Sequence, residues 1–254
     1  MTTVEATPRI AGKLGRTAAK FPVMLSALHT FVTLPKAQAT WAGPNDAAFD
    51  YGMLGNDRYG CCTFAGFVHL VQAICLLLGV TPPNPGDAAV VQAYLLFTHG
   101  QDTGANEADV LQALYATGIL GIDLVGYAPG RGGLDELWSI TEQFGAAYLG
   151  HMMPQPAQGQ FQANEPWDLT GTSADNAIEG GHCTVGLAFD QNAEMAEVIT
   201  WGKRQKVTFR WLDRYLDEKW APIPKQVKDA GKLDGFNWAQ LDAELHSLSG
   251  AVGG

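Results

Sequence analysis

The chain has 254 residues, 46% hydrophobic and 17% charged, which is enough apolar material for one large domain and argues against a disordered chain. Its longest apolar run, around Val71 to Val80, is short of the ~20 residues a bilayer crossing needs, and its first residues lack a secretory pattern, so a cytoplasmic protein without a membrane partner is expected. The net charge is −10, and residues 37–202 hold only Arg58 and Arg131 against eighteen acidic groups, a balance that repels a phosphate backbone and excludes nucleic acid as a partner.

Residues 1–40 contain five basic residues and one acidic residue and read as an N-terminal arm laid over the body. The Gly-, Asn- and Asp-rich stretch 41–60 reads as loop. Residues 62–80 are apolar almost all round, lack proline and stop at Gly79 before Pro82-Pro83, which predicts a buried central helix. Helices are also predicted over 87–99, from an Asn106 cap to Gly118, and over 134–145. AAYLGHMM then reads as a strand, 154–181 as a polar loop, and HCTVGLAFD and MAEVITWG as strands around a turn. VTFRW reads as a further strand, LDRYLDEKWA as helical, and 235–248 as a final amphipathic helix. Helices in the first half and antiparallel strands in the second predict an α+β fold with two halves meeting at a cleft. The expected organisation is a single domain with an arm (1–40), a mainly helical half (41–143), a mainly β half (144–220) and a tail helix (221–254).

Candidate chemistry centres on Cys62. A thiol at a helix N-terminus sees the positive end of the macrodipole, which favours the nucleophilic thiolate, and Gly60 lets the backbone pass close by. The alternative is a small buried hydrophobe, which is where Cys75 and Cys183 belong. Four cysteines with Cys61 and Cys62 adjacent make no disulfide framework. Of six histidines, His182 stands out because it follows Gly180-Gly181 and opens a strand, whereas His29, His69, His99, His151 and His246 read as core or surface. Phosphate-loop, dinucleotide and metal-ligand motifs are missing from the sequence, so no cofactor and no metal are expected. Glu165, Asp168, Asp175 and Glu179 form a solvated face or, at a cleft rim, would favour a basic group on the substrate. The basic arm either packs on the surface or covers the cleft and restrains activity.

The order of these features resembles the papain-like cysteine peptidases. FDYGMLGNDRYGCCTFAG (49–66) is similar to the family segment ending in Gln-x5-Cys-x-Ala-Phe, FGAAYLGHMM and GGHCTVGLAFD to its strand, loop and His strand, and VITWG to its Asn-Ser-Trp-Gly strand. GCCTFAGFVHL is more weakly similar to the Cys helix of the NlpC/P60 peptidases. The resemblance implies a papain-like fold in which a helical subdomain, its central helix bearing the Cys, packs on an antiparallel sheet. It implies a thiol-dependent hydrolase, a peptidase or amidase acting on a peptide or amide substrate. Cys62 and His182 would form its catalytic pair, with Asn56 in place of the oxyanion-hole Gln. Ile199 stands where the family has the Asn that orients the His. Thr200 is therefore the candidate third member, with Asp190 and Asn192 as alternatives. The family's propeptide and paired structural cysteines have no counterpart in the sequence. The missing Asn supports a rival reading, a catalytically inactive binding or structural module.

Overall fold

A computed structural model describes residues 11–17, 35–130 and 132–229. Its first half contains β1 (Arg16–Thr17), β2 (Thr40–Trp41), α1 (Cys62–Leu78), α2 (Gly86–Phe97), β3 (Ala105–Asn106), α3 (Glu107–Ala116), β4 (Leu124–Pro129) and α4 (Leu134–Phe144). The second half contains β5 (Ala147–Pro154), α5 (Pro156–Gln162), β6 (Ile178–Asp190), β7 (Met195–Thr200), β8 (Lys203–Thr208), α6 (Phe209–Tyr215), β9 (Leu216–Pro224) and α7 (Lys225–Asp229).

The apolar run from Cys62 forms α1 as its pattern predicts, and every residue from Cys62 to Cys75 is buried. The helix ends where Gly79 turns to φ 70° and Val80 N–H reaches back to Cys75 O at 2.9 Å, a left-handed stop that glycine makes without Cβ strain. Asn106 caps α3, its side chain accepting from Asp109 N–H at 3.2 Å.

The sheet is built around the 13-residue β6, which is antiparallel to β5 from Ala147↔Gly186 to Met153↔Gly180 and to β7 on its other side. The strand order runs β3-β1-β6-β5-β9-β4, with β2 and β7 also pairing β6 and β8 pairing β7. Helix α1 lies on β5 and β6. A Cβ at Gly66 would meet Cys183 Sγ at 2.8 Å, and Tyr148 OH donates to Thr63 O at 2.6 Å. This α+β arrangement packs the thiol-bearing helix on a largely antiparallel sheet.

Several local expectations are corrected. The stretch read as a polar loop holds α5, a 3-10 turn at Ser173–Asn176 and the start of β6. It is folded on its own polar groups: Trp167 Nε1–H donates to Ala157 O at 2.8 Å, and Asp175 accepts from the Thr170 and Gly171 amides. The strand expected in VTFRW stops at Thr208, whose hydroxyl caps α6 by accepting from Trp211 N–H. The helix expected over 212–221 ends at Tyr215 because β9 pairs with both β5 and β4, and those ladder bonds outweigh local helix propensity. β4 lies inside the expected helical half, and the expected tail helix (221–254) begins instead with the end of β9, before α7. The tail helix expected over 235–248 lies outside the described residues. Among the described residues, no helix is long and apolar enough to cross a membrane.

Candidate active site

Cys62 is the first residue of α1 and Cys61 its N-cap, and both are buried. Among the described residues all four cysteines are free. Burial pushes the Cys62 thiol up to about 11, with the amides of Cys183 and Gly15 and the charge of Arg16 working downward against it. The helix terminus therefore does not yield a thiolate in this arrangement, because burial penalises the charged form by more than the dipole returns. Cys61, raised by burial to about 12, turns its sulfur to Leu54 O at 3.6 Å.

His182 sits on β6, next to the residue whose amide reaches Cys62. Its Nε2 pairs with Thr200 Oγ1 at 2.7 Å, the Trp201 ring lies across it at 4.7 Å and 30°, and its Nδ1 is buried without a hydrogen-bond partner. Ile199 occupies the position of the family's orienting Asn. Strand alternation puts it and Thr200 on opposite faces, and the hydroxyl reaches the imidazole from the adjacent position. Asp190 instead caps the β6–β7 turn, accepting from the amides of Asn192 and Ala193.

A second histidine lies opposite. His151 is the cross-strand partner of His182, pairs through Nε2 with Thr184 Oγ1 at 2.8 Å and packs against Trp167 and Trp211. Its position directly across β5–β6 could have been read only with the strand register known. Burial lowers His182 to about 3 and His69 to about 4, and His151 well below its ordinary value. Each of these depressed values means that the unfolded chain takes up a proton before the folded one does. Folding stability is therefore expected to fall as pH drops from ~6.5 toward ~4, by about 1.4 kcal/mol per pH unit for each histidine. Urea midpoints measured across that range check this, and a flat profile contradicts it.

The amide of Asn56, a buried side chain, donates through Nδ2 to Tyr59 O and to Lys13 O, each at 3.0 Å. Lys13 belongs to the arm, and residues 12–16 run past Asn56, Trp201 and Gly60. Lys13 N–H donates to Asn56 O at 2.6 Å and Ala105 N–H to Gly15 O at 2.9 Å. β1 pairs antiparallel with β6 at Arg16↔Gly181 and parallel with β3 at Arg16↔Ala105. Glycines make the slot: a Cβ on Gly15 would stand 1.9 Å from Gly60 O, and one on Gly104 1.8 Å from Gly15 O. Cys62 and His182 are each only 1% exposed with this segment in place. The described part of the arm thus lies against Asn56, Gly60 and the Cys62 thiol.

Three of the four acidic residues singled out above are engaged elsewhere. Asp168 holds Arg210 and Thr208, Asp175 holds the 170–171 turn, and Glu179 accepts from Gln158. The carboxylates that meet the segment are Asp102, 2.6 Å from Lys13 Nζ, and Glu107, Asp217 and Glu218 around Arg16.

The fold is that of a known enzyme structure. Xylellain, a cysteine protease from Xylella fastidiosa, superposes with a TM-score of 0.58 at 14% identity, covering 87% of this chain and 99% of that one. A structure from a study of antibody cross-reactivity between the mite allergens Blo t 1 and Der p 1 aligns at 12% identity over 81% of this chain and 75% of that one, with a TM-score of 0.48. No protein-family profile and no curated protein matches the sequence.

Proposed function

We propose that the chain is a thiol-dependent hydrolase, a cysteine peptidase or amidase, held in a covered state by its own residues 12–16. The observation that best supports this is the His182–Thr200 pair beneath Trp201, which leaves the imidazole Nδ1 without a hydrogen-bond partner, one strand residue before the Cys183 amide that reaches Cys62. With Nε2–H donating to Thr200 Oγ1, Nδ1 is the basic nitrogen. In an uncovered cleft it takes the proton of Cys62, and the helix N-terminus and solvent then favour the thiolate. The thiolate attacks a peptide or amide carbonyl. The Asn56 amide, which holds a peptide carbonyl in the covered state, and the Cys62 backbone N–H hold the oxyanion, typically ~3 kcal/mol per donor. His182 passes its proton to the leaving amine, the C–N bond breaks, and water cleaves the resulting thioester to acid and free thiol.

Burial of both side chains and the Ile at position 199 favour the second reading, a binding or structural module with an inert thiol. Opening the cleft separates the two. Gly15→Val cannot fit against Gly60, and in that chain iodoacetamide is expected to alkylate Cys62 at about pH 6 roughly 100-fold faster than when His182→Ala is added. A rate indifferent to His182, located by mass spectrometry, leaves the module.

A further inference from the structure

Arg16 is the most deeply held cation of the segment. Its side chain is fully buried, and its three guanidinium nitrogens go to three different carboxylates: Nε to Glu107 at 3.5 Å, Nη1 to Asp217 at 3.0 Å, and Nη2 to Glu218. The acids come from α3 and β9, and the floor beneath them is Gly150 of β5. A Cβ there would stand 2.3 Å from Arg16 Nε and 2.6 Å from its Cζ, so the guanidinium lies flat on bare backbone. Glycine at this place leaves room for a planar group, and the carboxylates are arranged around its edge. A lysine ammonium, a single point charge, cannot reach all three.

Two further observations bear on what this cavity holds. Glu107 is wholly buried, 3.5 Å from Arg16 and beside the Cys183 thiol, and burial pushes its carboxyl up to about 8, so the negative charge facing the guanidinium comes chiefly from Asp217 and Glu218. Gly15, the neighbour of Arg16, reaches Cys62 with its amide, which places the cavity one residue along a bound peptide from the thiol.

We infer that the cavity formed by Glu107, Asp217 and Glu218 over Gly150 is a specificity pocket for an arginine side chain of the substrate, which Arg16 fills in cis. The inference rests on the hydrolase reading for the word substrate, although the pocket itself does not depend on it. It also revises where substrate charge is read. The basic group anticipated from the acidic loop before β6 is selected instead by acids from α3 and β9.

Two measurements on the full chain test it. In Arg16→Ala the pocket is vacated with the rest of the segment retained, and N-acetyl-arginine amide at millimolar concentration is expected to raise the melting temperature while N-acetyl-citrulline amide, similar in shape but uncharged, does not. In Gly15→Val, peptides bearing arginine are expected to be hydrolysed with kcat/KM about 100-fold above their citrulline counterparts, since a buried charge pair lost on one side costs on that scale. Glu218→Gln, chosen because it is less buried than Glu107, is expected to cut that preference about tenfold. Hydrolysis that does not distinguish arginine from citrulline overturns the pocket and leaves the hydrolase. If no peptide is cleaved, the thermal shift decides: a shift with arginine alone keeps the pocket and sinks the hydrolase, and equal or absent shifts overturn the pocket.

Discussion

Cys62→Ala, introduced into the opened Gly15→Val chain, is expected to lose peptide hydrolysis by at least about 10⁴-fold, near 5.5 kcal/mol of transition-state stabilisation. The same change at Cys61 is expected to leave the rate within about threefold, because its loss is one of packing alone. Adjacent sulfurs make this a sharp contrast. Cys61 precedes the helix and turns its thiol back to Leu54 O, whereas Cys62 opens α1 and meets the amides of Cys183 and Gly15. Only the second sulfur lies where a peptide threads the slot and where the proposed base stands on the neighbouring strand residue. Initial rates of amide release, with circular dichroism confirming that both variants fold, check the assignment. Activity that survives at Cys62→Ala and vanishes at Cys61→Ala would exchange the two roles.

In the unaltered chain, Cys62 is expected to be alkylated about 10²- to 10³-fold more slowly than in Gly15→Val. Three hydrogen bonds tie residues 13–15 to the body: Lys13 N–H to Asn56 O, Asn56 Nδ2–H to Lys13 O, and Ala105 N–H to Gly15 O. At about 1 kcal/mol each they hold the segment by ~3 kcal/mol, and the buried Arg16 adds to that. The two cationic anchors differ in weight. Lys13 is half-exposed where it meets Asp102, and exposed pairs contribute ~1 kcal/mol or less, so Lys13→Ala is expected to raise the alkylation rate less than about fivefold. Arg16→Ala, which removes the buried partner of Asp217 and Glu218, is expected to raise it more than about tenfold. Time-resolved mass spectrometry of the modified peptide reads all four rates. Equal rates in the unaltered and Gly15→Val chains would mean that the segment is no barrier.

These two outcomes bear on different parts of the molecule, and the parts differ in how far the sequence alone exposes them. The central helix was legible because nineteen residues of nearly unbroken apolarity between a cysteine pair and a Gly-Pro-Pro stop admit few other states. β6 and β7 were legible from apolar runs around a Gln-Asn turn, and the order of Cys, His and Trp-Gly along the chain pointed to the fold that the chain shares with xylellain. Thr200, selected only as the polar neighbour of Ile199, is the hydroxyl that His182 meets.

What the tertiary structure decided has one physical cause, the dependence of a group's state on residues distant in the chain. LDEKWAPIP reads locally as the end of a helix, yet β9 is a strand because β4 and β5 supply its ladder bonds. A cysteine at a helix start suggests a thiolate, yet burial in the assembled chain pushes the Cys62 thiol up to about 11. The acidic pocket draws on positions 16, 107, 150, 217 and 218, and no periodicity or motif joins them. Local pattern determined which segments were helix, strand and candidate nucleophile. Burial and charge, which belong to the assembled chain, decided which of those groups are covered, which are neutral, and where an arginine fits.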